Sequence, residues 1–196
     1  MSEYVNRTRR DLDAALRTLL EQKPLNQLRI RELTERCKLR RQSFYYHFKD
    51  VYDLFAWSME QERGLLQERL ANCLTWRQAL MALLERIEEE RAFYQAALDY
   101  GGQAELEKMI PLEEAMKAVQ IYYRDRCGAP PDQLAEEQER RCGRMVLLSL
   151  LESWIWGRTA LPPEELADTL ERTVERSAAG TVWRILQERG EWNWMP

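Results

Sequence analysis

Leu12, Ala15, Leu16, Leu19 and Leu20 recur at steps of three and four, so the opening pattern predicts a helix over residues 6–22 with one apolar face. Arg7, Arg9, Arg10 and Arg17 lie elsewhere around it, and Lys23-Pro24 closes it. A short helix is expected at 30–37, with Ile30, Leu33 and Cys37 turned inward. Lys38 and Leu39 then form a tight turn. A third helix, 40–47, sets Phe44 and Phe48 on one side and leaves Arg41, Gln42, Ser43, Tyr45 and Tyr46 for the others. Two short helices joined by a brief turn, braced by a longer amphipathic one, predict a helix-turn-helix unit.

From Asp50 the apolar pattern lengthens. Helices are expected at 50–73, 76–89 and 91–100, the last ended by Gly101-Gly102, then at 103–126 with a break or kink at Pro111. After a loop at 128–131, residues 133–156 are helical, polar at first and nearly all apolar from Met145 to Trp156, which requires burial on several sides. Gly157 ends that helix. Pro162-Pro163-Glu164-Glu165 opens the last one, to about residue 189, with Leu166, Leu170, Val174, Ala178, Val182 and Ile185 on one face.

Composition agrees with this pattern. Only 8 Gly and 7 Pro interrupt 196 residues, and strong helix formers dominate, so the fold class is all-α. The organisation expected is a helix-turn-helix domain over 1–50, its motif at 29–48, followed by a helical regulatory and dimerisation domain over 51–196. Cys37, Cys73, Cys127 and Cys142 show no zinc-ligand spacing, and no metal or cofactor is expected. Residues 1–10 are polar and charged, and no apolar run approaches the ~20 residues of a membrane span. These features lead to the expectation of a cytoplasmic protein.

Charge changes the picture once it is divided. The whole chain carries −4, an unpromising balance for a nucleic-acid partner. Residues 1–50, however, hold 12 Lys and Arg against 7 Asp and Glu, a net +5, and the remainder holds 17 against 26, a net −9. A basic head on an acidic body assigns one part to a polyanion and the other to a different task.

Residues 29–48, RIRELTERCKLRRQSFYYHF, resemble the DNA-binding signature of the TetR family, in which a recognition helix ends in Tyr-x-His-Phe. Continued to YYHFKDVYDLFAW, and again at LESWIWGRTALPPEELADTL, the chain is more narrowly similar to the branch of dihydroxyacetone-kinase operon activators. Three positions depart from the pattern. Lys38 stands where the turn often has Gly, Val51 where a phosphate-binding lysine is usual, and Arg40 where a polar residue caps the recognition helix. The resemblance implies a bacterial, nucleoid-associated regulator that binds a duplex operator as a homodimer. It implies, too, a second domain that answers to a small-molecule effector or to a protein coactivator.

Residue chemistry supports a DNA-reading role for Arg40, Arg41, Gln42 and Ser43, since Arg pairs with guanine O6/N7 and Gln with adenine N6/N7. Tyr45, Tyr46, Lys49 and Arg31 are better placed for phosphates, and His47, the one histidine, for a phosphate or for packing at the helix end. Trp57, Phe93, Tyr94, Tyr122 and Trp154 are candidate effector-pocket residues, although an aromatic stripe at helical spacing is more often plain core. Leu150, Trp154, Leu170, Val174, Ala178 and Val182 are candidate dimer-interface residues. An enzyme is not expected, because no nucleophile elbow, Gly-rich phosphate loop or metal-ligand cluster stands in the sequence. The alternative left open is a helical protein-interaction module whose helix-turn-helix binds no DNA.

Overall fold

The computed structural model describes residues 3–73, 75–111 and 133–172. Among them every regular element is helical, as the apolar spacing predicted. Helix α1 (Glu3–Leu20) is followed by a single 3-10 turn (Leu25–Gln27), α2 (Ile30–Arg36), α3 (Arg41–His47) and α4 (Val51–Ala71). Then come α5 (Trp76–Glu89), α6 (Arg91–Gly101), α7 (Gln103–Met109), α8 (Gln133–Ile155) and a helical stretch at 163–172. No described helix is long and apolar enough to cross a membrane. The chain divides into two compact units, one of residues 1–68 with 86–111 and the other of 69–85 with 112–196.

In the first unit α1 buries Leu12, Ala15, Leu16, Leu19 and Leu20, the stripe read from the sequence, and lies against α2 and α6. Leu33, Phe44 and Phe48 complete the core of the three-helix head. Polar caps set the entry to α4. Asp50 Oδ1 accepts the Asp53 N–H at 2.9 Å, and Asp53 Oδ2 accepts the Lys49 N–H at 2.8 Å, so two otherwise orphaned amides are satisfied. The break expected at Pro111 is present, since α7 ends at Met109 and Ile110 is extended.

A buried ionic cluster joins α1, α4, α5 and α6 in this unit. Glu62, only 1 % exposed, accepts from Nε and Nη2 of Arg86 at 2.7 and 2.8 Å and from the Tyr94 hydroxyl at 3.0 Å. Arg17 Nη1 lies 3.0 Å from Glu62 and 3.1 Å from Glu90, with its guanidinium 4.1 Å from the Phe93 ring centre. Burial opposes ionisation of Glu62, but the Arg86 hydrogen bonds and the Arg17 and Arg86 charges outweigh it and hold the carboxyl below its ordinary range.

In the second unit α8 carries Leu147, Leu148, Leu151, Trp154 and Ile155 on its buried side, at the three- and four-residue spacing of one face. Leu166, Ala167 and Leu170 are buried on the 163–172 stretch. The Trp154 indole N–H donates to the Leu161 carbonyl at 2.8 Å, which satisfies the one polar atom of a large buried ring. On the solvent side Met145 is 64 % and Val146 44 % exposed.

Candidate nucleic-acid interface

The turn between α2 and α3 is built by backbone geometry. Leu39 N–H bonds the Thr34 carbonyl at 2.8 Å and Lys38 N–H bonds that of Glu35 at 3.1 Å, the paired bonds of a Schellman motif. The motif needs a left-handed residue at its turn, and Lys38 supplies it with φ 56°, the one positive φ outside glycine among the described residues. Glu32 accepts the Arg29 N–H at 3.0 Å and also holds Lys23, which fastens the start of α2 to the end of α1. Helix α2 is therefore fastened at both ends.

Helix α3 begins from an extended Arg40, with no side-chain cap, and ends at an extended Phe48. The absent cap follows from having Arg at the position where Ser, Thr, Asp or Asn would accept an amide. Phe44 is fully buried, and Phe48 packs on Phe44 and Trp57 with ring centres 5.9 and 5.7 Å apart. With that side committed to the core, Arg40, Arg41, Gln42, Tyr45, Tyr46 and Lys49 are exposed, Tyr46 by 77 %, while Ser43 and His47 are half-buried. Arg31 is exposed as well, but its Nε is engaged by Glu35 at 2.6 Å. Burial, and then the charge of Arg9, push the His47 pKa down, so the imidazole is neutral near pH 7. The eight residues from Arg40 to Lys49 named at the sequence level thus share one short helix and its flanks. Val51 is buried in the first turn of α4, which accounts for an apolar residue at that position.

The candidate effector aromatics are divided between the two units. Phe93 and Tyr94 are fully buried in the first unit, where Phe93 packs on Phe55 at 5.2 Å and Tyr94 bonds Glu62. Trp57 is half-buried against Phe48, Trp154 belongs to the second unit, and Tyr122 lies outside the described residues. Of the candidate interface positions, Trp154 and Leu170 are buried within a single copy and Leu150 is half-buried. Val174, Ala178 and Val182 lie outside the described residues. Arg7, Arg9 and Arg10 are, from the sequence, either backbone-phosphate contacts or ordinary surface arginines; the structure adds that the Arg9 guanidinium carbon lies 5.8 Å from the Phe48 ring centre and 6.0 Å from that of Trp57. Helical spacing gave no signal for this aromatic contact, because it depends on where α4 passes.

A solved structure of the dihydroxyacetone kinase operon activator DhaS matches 88 % of this chain and 96 % of its own, with a TM-score of 0.71 and 20 % identity. The fold is TetR-like. A TetR transcriptional regulator from Rhodococcus sp. RHA1 matches over the same shares with a TM-score of 0.52 and 16 % identity. In sequence, the HTH-type dhaKLM operon transcriptional activator DhaS of Lactococcus lactis subsp. lactis (strain IL1403) is 26 % identical over 88 residues, 45 % of this chain. The match spans about half of that relative's length, 47 %. No protein-family model matches the sequence. The similarity therefore runs to TetR-type regulators, and within them to a DhaS activator.

Proposed function

We propose that the chain is a TetR-type transcriptional regulator that binds a pseudopalindromic duplex operator as a homodimer. The DNA-binding domain is residues 1–50. Residues 51–196 provide dimerisation and the site at which an effector or a protein coactivator alters affinity. The observation that carries this reading is the division of α3, with Phe44 wholly inside and Arg41, Gln42, Tyr45 and Tyr46 facing solvent beside Arg40 and Lys49. A helix so arranged can lay its N-terminal residues on base edges in the major groove, with the aromatic hydroxyls and Lys49 on phosphates.

Two copies are needed because the half-sites of such an operator lie about 34–36 Å apart, one turn of the duplex. Among the described residues the accessible side of α8 offers Met145, Val146 and Ser149, with Leu150 at its margin, as the surface for a second copy. The similarity to the operon activator DhaS favours activation as the output, with a small-molecule effector and a protein coactivator as the two forms of control to be distinguished.

Gel-shift titration of duplexes from the chain's own upstream region tests the proposal. Arg41→Ala and Gln42→Ala should each cost about 1–3 kcal/mol at one base position and relax the preference there. Lys49→Ala should weaken all sequences alike and lower the salt slope. Unchanged binding in all three variants would remove α3 from the recognition role, and no duplex binding by the wild type would leave the interaction-module reading.

A further inference from the structure

We infer that Arg9, on the first helix and outside the helix-turn-helix pair, is a contact for a phosphodiester of the DNA backbone. The inference rests on the regulator reading above and names a ligand for a residue which that reading leaves without a role. Arg9 is half-buried, with its guanidinium beside the rings of Phe48 and Trp57. Its Nε is buried with no acceptor, and no described residue forms a hydrogen bond or ion pair with its terminal nitrogens.

The contrast with Arg17, two turns further along the same helix, is direct. Arg17 forms ion pairs with Asp13, Glu62 and Glu90 within the fold. Asp13, one turn from Arg9, accepts from Arg17 Nε through its Oδ2 at 3.1 Å, and its Oδ1 is buried without a hydrogen-bond partner. Arg9 is thus a cation held beside aromatic rings with no ion pair among the described residues. A desolvated cation of this kind gains more from an arriving anion than a fully hydrated one does. Its contacts with Phe48 and Trp57 restrict the side chain before binding, so less rotamer entropy is lost then.

Position identifies the anion. Phe48 is the residue that ends α3, and the charge of Arg9 is felt at His47, so the guanidinium stands at the C-terminal end of the recognition helix. Exposed Tyr46 and Lys49 flank that end. When the N-terminal part of α3 meets base edges, its other end approaches the backbone bordering the groove. A planar guanidinium donates two parallel N–H bonds to a phosphate, a geometry that lysine cannot reproduce.

The test uses the full chain and a fluorescein-labelled mixed-sequence duplex of about 30 base pairs, roughly three helical turns. Affinity is measured by anisotropy from low salt to near 1 M, with thermal melting of each variant alongside. Arg9→Met keeps an apolar stem on Phe48 and Trp57 and removes the charge, so the slope of log affinity against log salt should fall by about 0.9. That corresponds to about eightfold weaker binding near 0.1 M salt, with wild type and variant converging toward 1 M. Arg9→Lys should restore the slope while leaving part of the affinity lost. Should Arg9→Met fail to fold, Arg9→Gln carries the same comparison.

A variant that retains the wild-type slope, or that weakens binding equally at every salt concentration as its melting temperature drops, shows a packing role and overturns the assignment. In that case wild-type binding itself stands, and the regulator reading with it. A wild type with no salt-dependent duplex binding overturns both.

Discussion

Lys38 shows what a single residue contributes to the head. The Schellman motif that closes α2 has a counterpart at the end of α8. There Arg158 N–H bonds the Ser153 carbonyl at 2.9 Å and Gly157 takes the left-handed position at φ 68°. The geometry is the same and the residue differs. A side chain at positive φ carries a penalty of about 1 kcal/mol or more, part of which a glycine gives back through the greater freedom of its unfolded chain. Lys38→Gly should therefore stabilise by about 0.5 kcal/mol, a rise of roughly 2 °C in melting temperature, whereas Lys38→Ala should leave it nearly unchanged. A melt in which Lys38→Gly is less stable than wild type would mean that the lysine stem, not the backbone turn, secures α2 to α3.

At the scale of elements, the Glu62 cluster is what ties the first helix of the head to α4, α5 and α6. A buried ion pair adds little beyond what a well-packed apolar substitute would give, but removal of one partner strands the others. Glu62→Gln leaves the Arg17 and Arg86 charges short of their shared counter-ion, and a loss of about 3 kcal/mol in urea denaturation at pH 7 is expected. The folded pKa of Glu62 lies below its ordinary 4.5. Its contribution is therefore fully present above that value and is lost as pH falls through the folded pKa. Wild type and Glu62→Gln should accordingly differ most near neutrality and converge in acid. A difference that persists unchanged at low pH would show that the carboxylate charge is not what holds these helices together.

For the whole molecule, the proposed twofold arrangement places its demand on α8. One side of that helix is already occupied by Leu147, Leu148, Leu151, Trp154 and Ile155, so any partner must use the opposite side, where Met145 and Val146 are exposed. Light scattering at micromolar concentration should give twice the chain mass, and Met145→Asp combined with Val146→Asp should shift it to that of one copy without a large change in helical signal. A charge buried without a partner costs several kcal/mol, which is enough to split an interface of ordinary size. If the double variant remains dimeric, α8 does not supply the contact. If it becomes monomeric and keeps operator affinity, dimerisation is not how the half-sites are read.

Helix spacing and the head motif were legible along the chain because both arise from local rules. Leu12 to Leu20, Phe44 and Phe48 are read from steps of three and four, and the departures at Lys38 and Arg40 are visible as side-chain types where backbone geometry demands others. The helical class and the exposed side of α3 follow from these positions alone. Tertiary structure decided what depends on non-local approach. Phe93 and Tyr94, candidates for a pocket, became core and a hydrogen-bond donor to a buried carboxylate. Trp154 and Leu170 were enclosed within one copy, and Arg9 was brought beside an aromatic pair distant in sequence. Periodicity specifies which face of a helix is buried, but only the packing of several helices determines what that face, or a charge at its edge, will meet.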